Sequence, residues 1–317
     1  MKNNLRQNKV SIVFSFYNEK ESISETIDKT LNVLNSISGI DYELIFVNDC
    51  SNDGSEELLN YENSRNKKIK IINMSRRFGH MPCVLAGLKH CTGDVAIHMD
   101  IDLQDPPSII EKMIKVWLEK KCDVVYSKRK SFKNSIFNNI LSFFGYKILK
   151  KYNYIQLEEN AGDFRLISRR VINNILYLDE TSNFRFLVDF VGFEREEILY
   201  ERQKRKFGKS KYNLASVAIN FIEGALFPFS DFFLRVSFFL GILGLVLASI
   251  FLTVFFFQLF FNNLELDFFN FINFAIFVFV CLQAFVMGVF SVYVGLIFKQ
   301  TTKRPKYIIK EKKGFND

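Results

Sequence analysis

Along the first two thirds of the chain, short apolar runs alternate with longer segments of helical period. Val10–Phe16, Tyr42–Val47, Ile69–Met74, Val95–Met99 and Asp123–Tyr126 read as strands, and Phe164–Ile167 as a sixth. After the first run, Glu19–Leu34 puts Ile23, Ile27, Leu31 and Leu34 on one helical face. Asn48–Gly54 follows the second run, with Asp53 or Ser55 as a cap for the next helix. Ser108–Lys120 is a further helix, entered through Pro106 and Pro107. This alternation predicts an α/β fold: a mostly parallel sheet with helices on both faces.

The pattern changes after residue 231. Val236–Phe261 and Phe268–Phe298 carry no charged side chain. Each exceeds the roughly 20 residues that a helix needs to cross a bilayer. Two transmembrane helices are therefore expected within 232–298, at about 235–261 and 268–298. The linker Asn262–Asp267 has no Lys or Arg, whereas the segment after Phe298 has Lys299, Lys303, Arg304, Lys306, Lys310, Lys312 and Lys313. The excess of basic residues puts 299–317 on the cytoplasmic side as a basic tail, and with two crossings residues 1–231 lie there as well. The polar Met1–Lys9 leads into no signal-peptide core, so the expected location is the inner (cytoplasmic) membrane, multi-pass. Two amphipathic segments, near 135–150 and 214–226, have basic flanks or adjoin the spans and would lie in the bilayer interface.

Five cysteines, an odd number without a pairing pattern, fit a reducing compartment. His80, Cys83, His90 and Cys91 match no common zinc-finger spacing, and Cys83 reads as a small apolar residue in a short helix. No nucleic-acid partner is expected.

The candidate chemistry sits where strands end. Tyr17-Asn18-Glu19, Asn48-Asp49 and Asp100-x-Asp102 each follow an apolar run. In open α/β sheets ligands bind beyond the carboxyl ends of strands, so three acidic strand ends converge on one crevice. Asp100, Asp102 and Gln104 share the parity of an extended chain and offer oxygen ligands. Such a set suits Mg²⁺ or Mn²⁺, and Mg²⁺ pairs a few carboxylates with substrate phosphates, which points to a diphosphate substrate.

The stretches VSIVFSFYNEKESI, IFVNDCSNDGS, MSRRFGHMPCVLAGLKHCTGD, HMDIDLQDPP, GDFRLISRRV and RQKRKFGKSKY, in this order over about residues 9–230, resemble family 2 glycosyltransferases. The likeness is to the subgroup that acts on polyprenyl phosphate, which includes dolichyl-phosphate mannose synthases and bacterial undecaprenyl-phosphate glucosyltransferases and aminoarabinosyltransferases. The resemblance implies a GT-A-type catalytic domain. It implies that Tyr17, Glu19 and Asp49 contact the base and ribose, and that Asp100, Asp102 and Gln104 hold the metal and the diphosphate. Arg205 and Lys211, with Arg202 nearby, would clamp the diphosphate. Arg129, Lys133 and Ser135 would receive the lipid phosphate. Asp163, in Gly162-Asp163-Phe164-Arg165, is the candidate for a group at the reacting centre; the alternative is an ion pair with Arg165 or Arg169. Two positions depart from the family pattern. Ser15 stands where a Pro is usual, and Asn138-Asn139 stand where a basic pair is common.

The reaction so implied is a single inverting transfer from a nucleotide sugar, with UDP-glucose first and mannose, N-acetylhexosamine and aminoarabinose donors open. The acceptor is undecaprenyl phosphate, and the product is a lipid-linked monosaccharide for cell-envelope polysaccharide. A non-catalytic nucleotide-sugar sensor would be expected to have lost Asp100, Asp102, Arg205 or Lys211, and all are present. A processive synthase would need a Q-x-x-R-W motif, and the only Trp is Trp117 in a helix. Gly241, Gly244, Gly288 and Gly295 in the spans would permit close helix contact and self-association.

Overall fold

The computed structural model describes residues 7–129, 161–178, 183–203, 232–261, 268–302 and 304–315. Lys133, Ser135, Arg205, Lys211 and the segments 135–150 and 214–226 lie outside the described residues. The chain divides into two compact units, one holding a sheet and its helices and the other two long helices.

Eight strands form one sheet: β1 (Asn8–Phe16), β2 (Ile40–Asn48), β3 (Ile69–Met74), β4 (Val95–Asp100), β5 (Val124–Arg129), β6 (Ala161–Ser168), β7 (Arg195–Tyr200) and β8 (Ile309–Lys313). Their order is β7-β5-β6-β4-β1-β2-β3-β8. The expected α/β sheet is present, and it is mixed. Four of its seven pairings are parallel, and β6 runs antiparallel to both β4 and β5 while β8 runs antiparallel to β3. Strands β1, β2 and β4 read as nearly unbroken apolar runs because both faces are covered. Val10, Ile12, Phe14, Leu44, Phe46, Val95, Ile97 and Met99 join one core with α1 (Lys20–Ser36) and α4 (Ser108–Lys120). Phe14 and Phe46 stack there with ring centroids 4.7 Å apart.

The other face is covered by α3 (His80–His90), α5 (Arg169–Leu178) and α6 (Phe184–Val191); α2 (Ser55–Arg65) packs beside β3. Helix α3 lies so close to β1 that a Cβ on Gly87 would meet Val13 Cγ1 at 2.3 Å. Only glycine permits that approach, and it fixes where the first residue of α3, His80, is delivered.

The chain builds β1, β2 and β3 outward in one direction and then places β4 on the opposite side of β1. That reversal opens a crevice at the carboxyl ends of β1 and β4, where α/β sheets bind ligands. Strands β7 and β8, which the hydropathy pattern does not reveal, close the two edges.

The second unit contains α7 (Phe232–Phe261) and α8 (Phe268–Thr301), which pack on each other. Each includes a segment long and apolar enough to cross a membrane, Phe232–Val254 and Ile272–Phe298. Large side chains such as Leu245 and Phe238 are 72% and 67% exposed. A core helix would bury them, and in water such area would cost about 25 cal/mol per Å². The helices are a membrane-associating element.

Candidate active site

A cleft of about 280 Å³ opens at the switch between β1 and β4. It brings together five of the residues singled out from the sequence: Tyr17, Glu19, Asp49, Asp100 and Asp102. Each arrives by local geometry. Asn18 takes a left-handed conformation (φ 53°), turning the chain sharply between Tyr17 and Glu19. The turn is tied down by Asn18 N donating to Ser51 Oγ (2.9 Å), Asn18 Nδ2 donating to Asn52 Oδ1 (2.8 Å) and Lys20 N donating to Asp53 Oδ2 (3.0 Å). Asp49 accepts from the amides of Phe78 (2.6 Å) and Gly79 (2.9 Å). It therefore fixes the loop between β3 and α3 as well as lining the cleft. That loop carries Arg77, whose guanidinium lies 4.2 Å over the Tyr17 ring and makes one wall.

Strand β4 ends at Asp100, opposite Ser15 of β1. Asp102 Oδ1 accepts from Gln104 N (3.1 Å) around Leu103, which has φ 57°. Gln104 is half-buried and does not line the cleft; its carbonyl accepts from Gln203 N (2.9 Å). Burial pushes the Asp100 carboxyl up, and Asp102 and Asp163 add to this while His80 opposes it. An acid held in that condition gains from a cation brought beside it.

A second cluster adjoins the acidic turn. Buried Asp105 accepts a short hydrogen bond from Tyr200 and faces Arg202 at 3.6 Å. Arg129 Nε donates to Tyr200 Oη (3.4 Å). Burial and the Asp105 carboxylate push the Tyr200 hydroxyl to about 12, so it stays a donor. Of the basic residues singled out, Arg129 and Arg202 are thus brought to one place.

Asp163 lies on β6 beside His98. Burial alone would raise its pKa; Arg185, His80, His98 and Arg165 outweigh that and hold it low. The two ion pairs considered for it are not made: Arg165 pairs with Asp189 (2.6 Å) and Arg169 with the carbonyls of Cys91 and Gly93. His98 is fully buried, and burial with the neighbouring His80 presses its pKa to about 4.

Sequence reading missed Arg77, His98 and Asp105 and considered His80 only in a zinc set it set aside, although all four fall inside quoted motifs. Among the described residues, the group whose donor atoms converge is His80, His98 and Asp100. Cys83 is buried, and its thiol is pushed far up by burial and by Asp49.

Residues 11–176 match the family model described as Glycosyl transferase family 2. The chain is 31% identical over 308 residues to the putative glycosyltransferase CsbB of Bacillus subtilis, covering 97% of this chain and 93% of that protein. It is 31% identical over 309 residues to the bactoprenol glucosyl transferase of Shigella phage SfX, covering 96% of this chain and 100% of that protein. A prophage bactoprenol glucosyl transferase homolog of Escherichia coli is 32% identical over 309 residues, covering 96% and 99%. Among solved structures, mannosyl-3-phosphoglycerate synthase from Rubrobacter xylanophilus aligns with a TM-score of 0.49 at 13% identity, covering 68% of this chain and 72% of that one.

Proposed function

We propose, from the premise that this chain belongs to glycosyl transferase family 2 and is a glycosyltransferase, that it moves one sugar from a nucleotide sugar to undecaprenyl phosphate. The observation that carries the reading is the acidic crevice at the β1/β4 switch, joined to a pair of apolar helices that hold such a site at a bilayer. The full-length likeness to proteins named bactoprenol glucosyl transferase supports a polyprenyl phosphate acceptor and glucose, from UDP-glucose, as the sugar.

In this reading the base and ribose lie against Tyr17 and Arg77, with Glu19 and Asp49 at the polar edge. The residues present fit a divalent cation: Asp100 and Asp102 are paired carboxylates lining the cleft and Asp100 is destabilised by its burial, whereas Gln104, on the same turn, stands back from it. Mg²⁺ or Mn²⁺ held there would offset the charge that builds on the departing nucleoside diphosphate. Arg202, whose charge reaches Asp100, with Arg205 and Lys211 further along the chain, binds the same diphosphate. Arg129, with Lys133 and Ser135, receives the lipid phosphate.

The acceptor needs no strong base. A phosphate monoester has a second pKa near 6 and is mostly dianionic at neutral pH. The protein's task is to align it for a single in-line, inverting displacement. In this reading Asp163 serves the reacting centre as a fixed negative charge in the field of Arg185, its backbone carbonyl holds His98, and no proton transfer is asked of it. The catalytic unit and the C-terminus face the cytoplasm of a multi-pass inner-membrane protein, where nucleotide sugars are made.

The test is transfer by the purified full chain in detergent with undecaprenyl phosphate, Mg²⁺ or Mn²⁺, and a panel of UDP- and GDP-sugars, with mass spectrometry of the lipid product. Glucose transfer from UDP-glucose is expected, with mannose, N-acetylhexosamine and aminoarabinose donors as comparators. Asp102→Asn should lower the rate by about 10²-fold or more. Nucleotide binding without transfer from any donor would replace this reading with a non-catalytic sensor.

A further inference from the structure

We propose that His80, His98 and Asp100 form a mixed nitrogen–oxygen corner of the metal site, one that selects a transition-metal dication such as Mn²⁺ over Mg²⁺. The inference rests on the glycosyltransferase reading only for what the ion would serve. The site itself stands on this chain's own side chains.

One donor atom from each of the three residues lies within 4.8 Å of the other two. Ligands on one ion at about 2.0–2.2 Å stand roughly 3–4 Å apart, so the three need to draw in by about 1 Å. His98 and Asp100 are two residues apart on β4 and point to the same face. His80 opens α3, which packs on that face. The His80 and His98 rings are 5.2 Å apart between centroids and tilted by 68°. Two imidazoles sharing one ion at about 2.1 Å would have centroids roughly 5 Å apart.

The second observation is a buried nitrogen with no partner. His98 Nδ1 lies 3.2 Å from the Asp163 carbonyl. A carbonyl oxygen only accepts, so Nδ1 carries the proton and Nε2 presents a lone pair. That Nε2 is buried and meets no hydrogen-bond donor. A buried polar atom left so is costly and calls for an ion or a water. An imidazole whose other nitrogen donates to a carbonyl is how metal-binding histidines are held.

His80 repeats the arrangement. Its Nδ1 is hydrogen-bonded to Ser15 Oγ at 2.8 Å; with Nδ1 as the donor, Nε2 presents its lone pair to an ion. Ser15 sits where the family pattern usually has Pro, and a proline has no hydroxyl to offer. Ser15 is a positioning residue and the two histidines are ligands. Imidazole ligands favour transition metals, whereas Mg²⁺ prefers oxygen and retains water. His80 is exposed to the cleft, so an ion can enter from that side.

Purified full-length protein would be loaded with Mn²⁺ alone and examined by electron spin-echo spectroscopy for ¹⁴N coupled directly to the metal, with Mn²⁺ and Mg²⁺ affinities measured by titration. The expected result is an imidazole ¹⁴N coupling and Mn²⁺ binding at least tenfold tighter than Mg²⁺. His80→Gln, on the exposed side where folding is not at risk, should reduce the coupling and weaken Mn²⁺ by at least tenfold, leaving Mg²⁺ almost unchanged. Ser15→Ala should weaken Mn²⁺ by about tenfold through lost orientation. Mn²⁺ bound with no nitrogen coupling, or no Mn²⁺ bound at millimolar concentration, overturns the inference. If sugar transfer persists in that case, the glycosyltransferase reading survives. Nitrogen coupling without transfer to any lipid phosphate would keep the metal site and sink the acceptor assignment instead.

Discussion

Glu43 is a carboxylate 1% exposed in β2, toward the end of the sheet away from the cleft. It survives there because every lone pair is used. Ser11 Oγ and Thr92 N donate to Oε1 (both 2.6 Å), and Thr92 Oγ1 (3.0 Å) and Lys70 Nζ (2.7 Å) reach Oε2. Burial would raise its pKa, but the bonds from Lys70, Ser11 and Thr92 outweigh it and bring the value from 4.5 to about 2. The folded state therefore holds the proton less well than the unfolded state. The stabilisation is complete above about pH 4.5 and is lost as pH falls toward 2; its size is on the order of 3 kcal/mol. Glu43→Gln should lower the midpoint of thermal unfolding at pH 7 and bring the two proteins closer at pH 3. Parallel curves for both proteins between pH 7 and pH 3 would show that Glu43 is not the group responsible. At this scale the sequence reveals unevenly. Asp100 and Asp102 are visible because they directly follow an apolar run. His98 lies inside that run and looks like an interruption, since nothing local says that α3 will bring His80 beside it.

Among the elements, β8 has the largest effect that the hydropathy pattern hides. Ile309-Lys-Glu-Lys-Lys313 is too charged to read as a strand, yet charge is what an edge strand carries to prevent further pairing. It covers β3, and just before it the Ile308 carbonyl accepts from Ser75 N (2.9 Å). Ser75 begins the loop that delivers Arg77 to Tyr17 and the Phe78 and Gly79 amides to Asp49. Gly314, at φ 79°, lets the chain turn against Asn63 and Ile69, where a Cβ would meet Asn63 Nδ2 at 2.7 Å. Deleting residues 305–317 should expose the β3 edge and loosen that loop. The expected result is a lower unfolding midpoint, by roughly 2–4 °C for each kcal/mol lost. UDP binding measured by calorimetry should weaken by about tenfold, with the acidic turn intact. Unchanged UDP affinity in the truncated protein would show that β8 only seals the edge. Strands β1, β2 and β4 were legible because burial on both faces leaves an unbroken apolar run. Strand β7, Arg195-Glu-Glu-Ile-Leu-Tyr200, hides for the same reason as β8: it lies at the other edge and shows charge to solvent.

For the whole molecule, β8 turns a composition argument into a connectivity argument. The basic excess after Phe298 gives only an expectation, a tail on the cytoplasmic side. The structure shows residues 309–313 in the same sheet as β1 to β3, on the far side of both long helices in the chain. A chain that leaves this unit through α7 and returns to it through α8 has its two ends on one side of any bilayer those helices cross. The number of crossings must then be even, whichever leaflet the helices enter first. Single cysteines placed at residue 3 and at residue 316, in a background lacking the five native cysteines, should both resist a membrane-impermeant thiol reagent in intact cells and react after permeabilisation. A cysteine placed at residue 264, in the linker between the helices, should react in intact cells. Opposite accessibility at the two termini would contradict the β3–β8 pairing as well as the topology. Labelling of both termini but not residue 264 in intact cells would keep the pairing and reverse the orientation, placing the site away from its nucleotide donor.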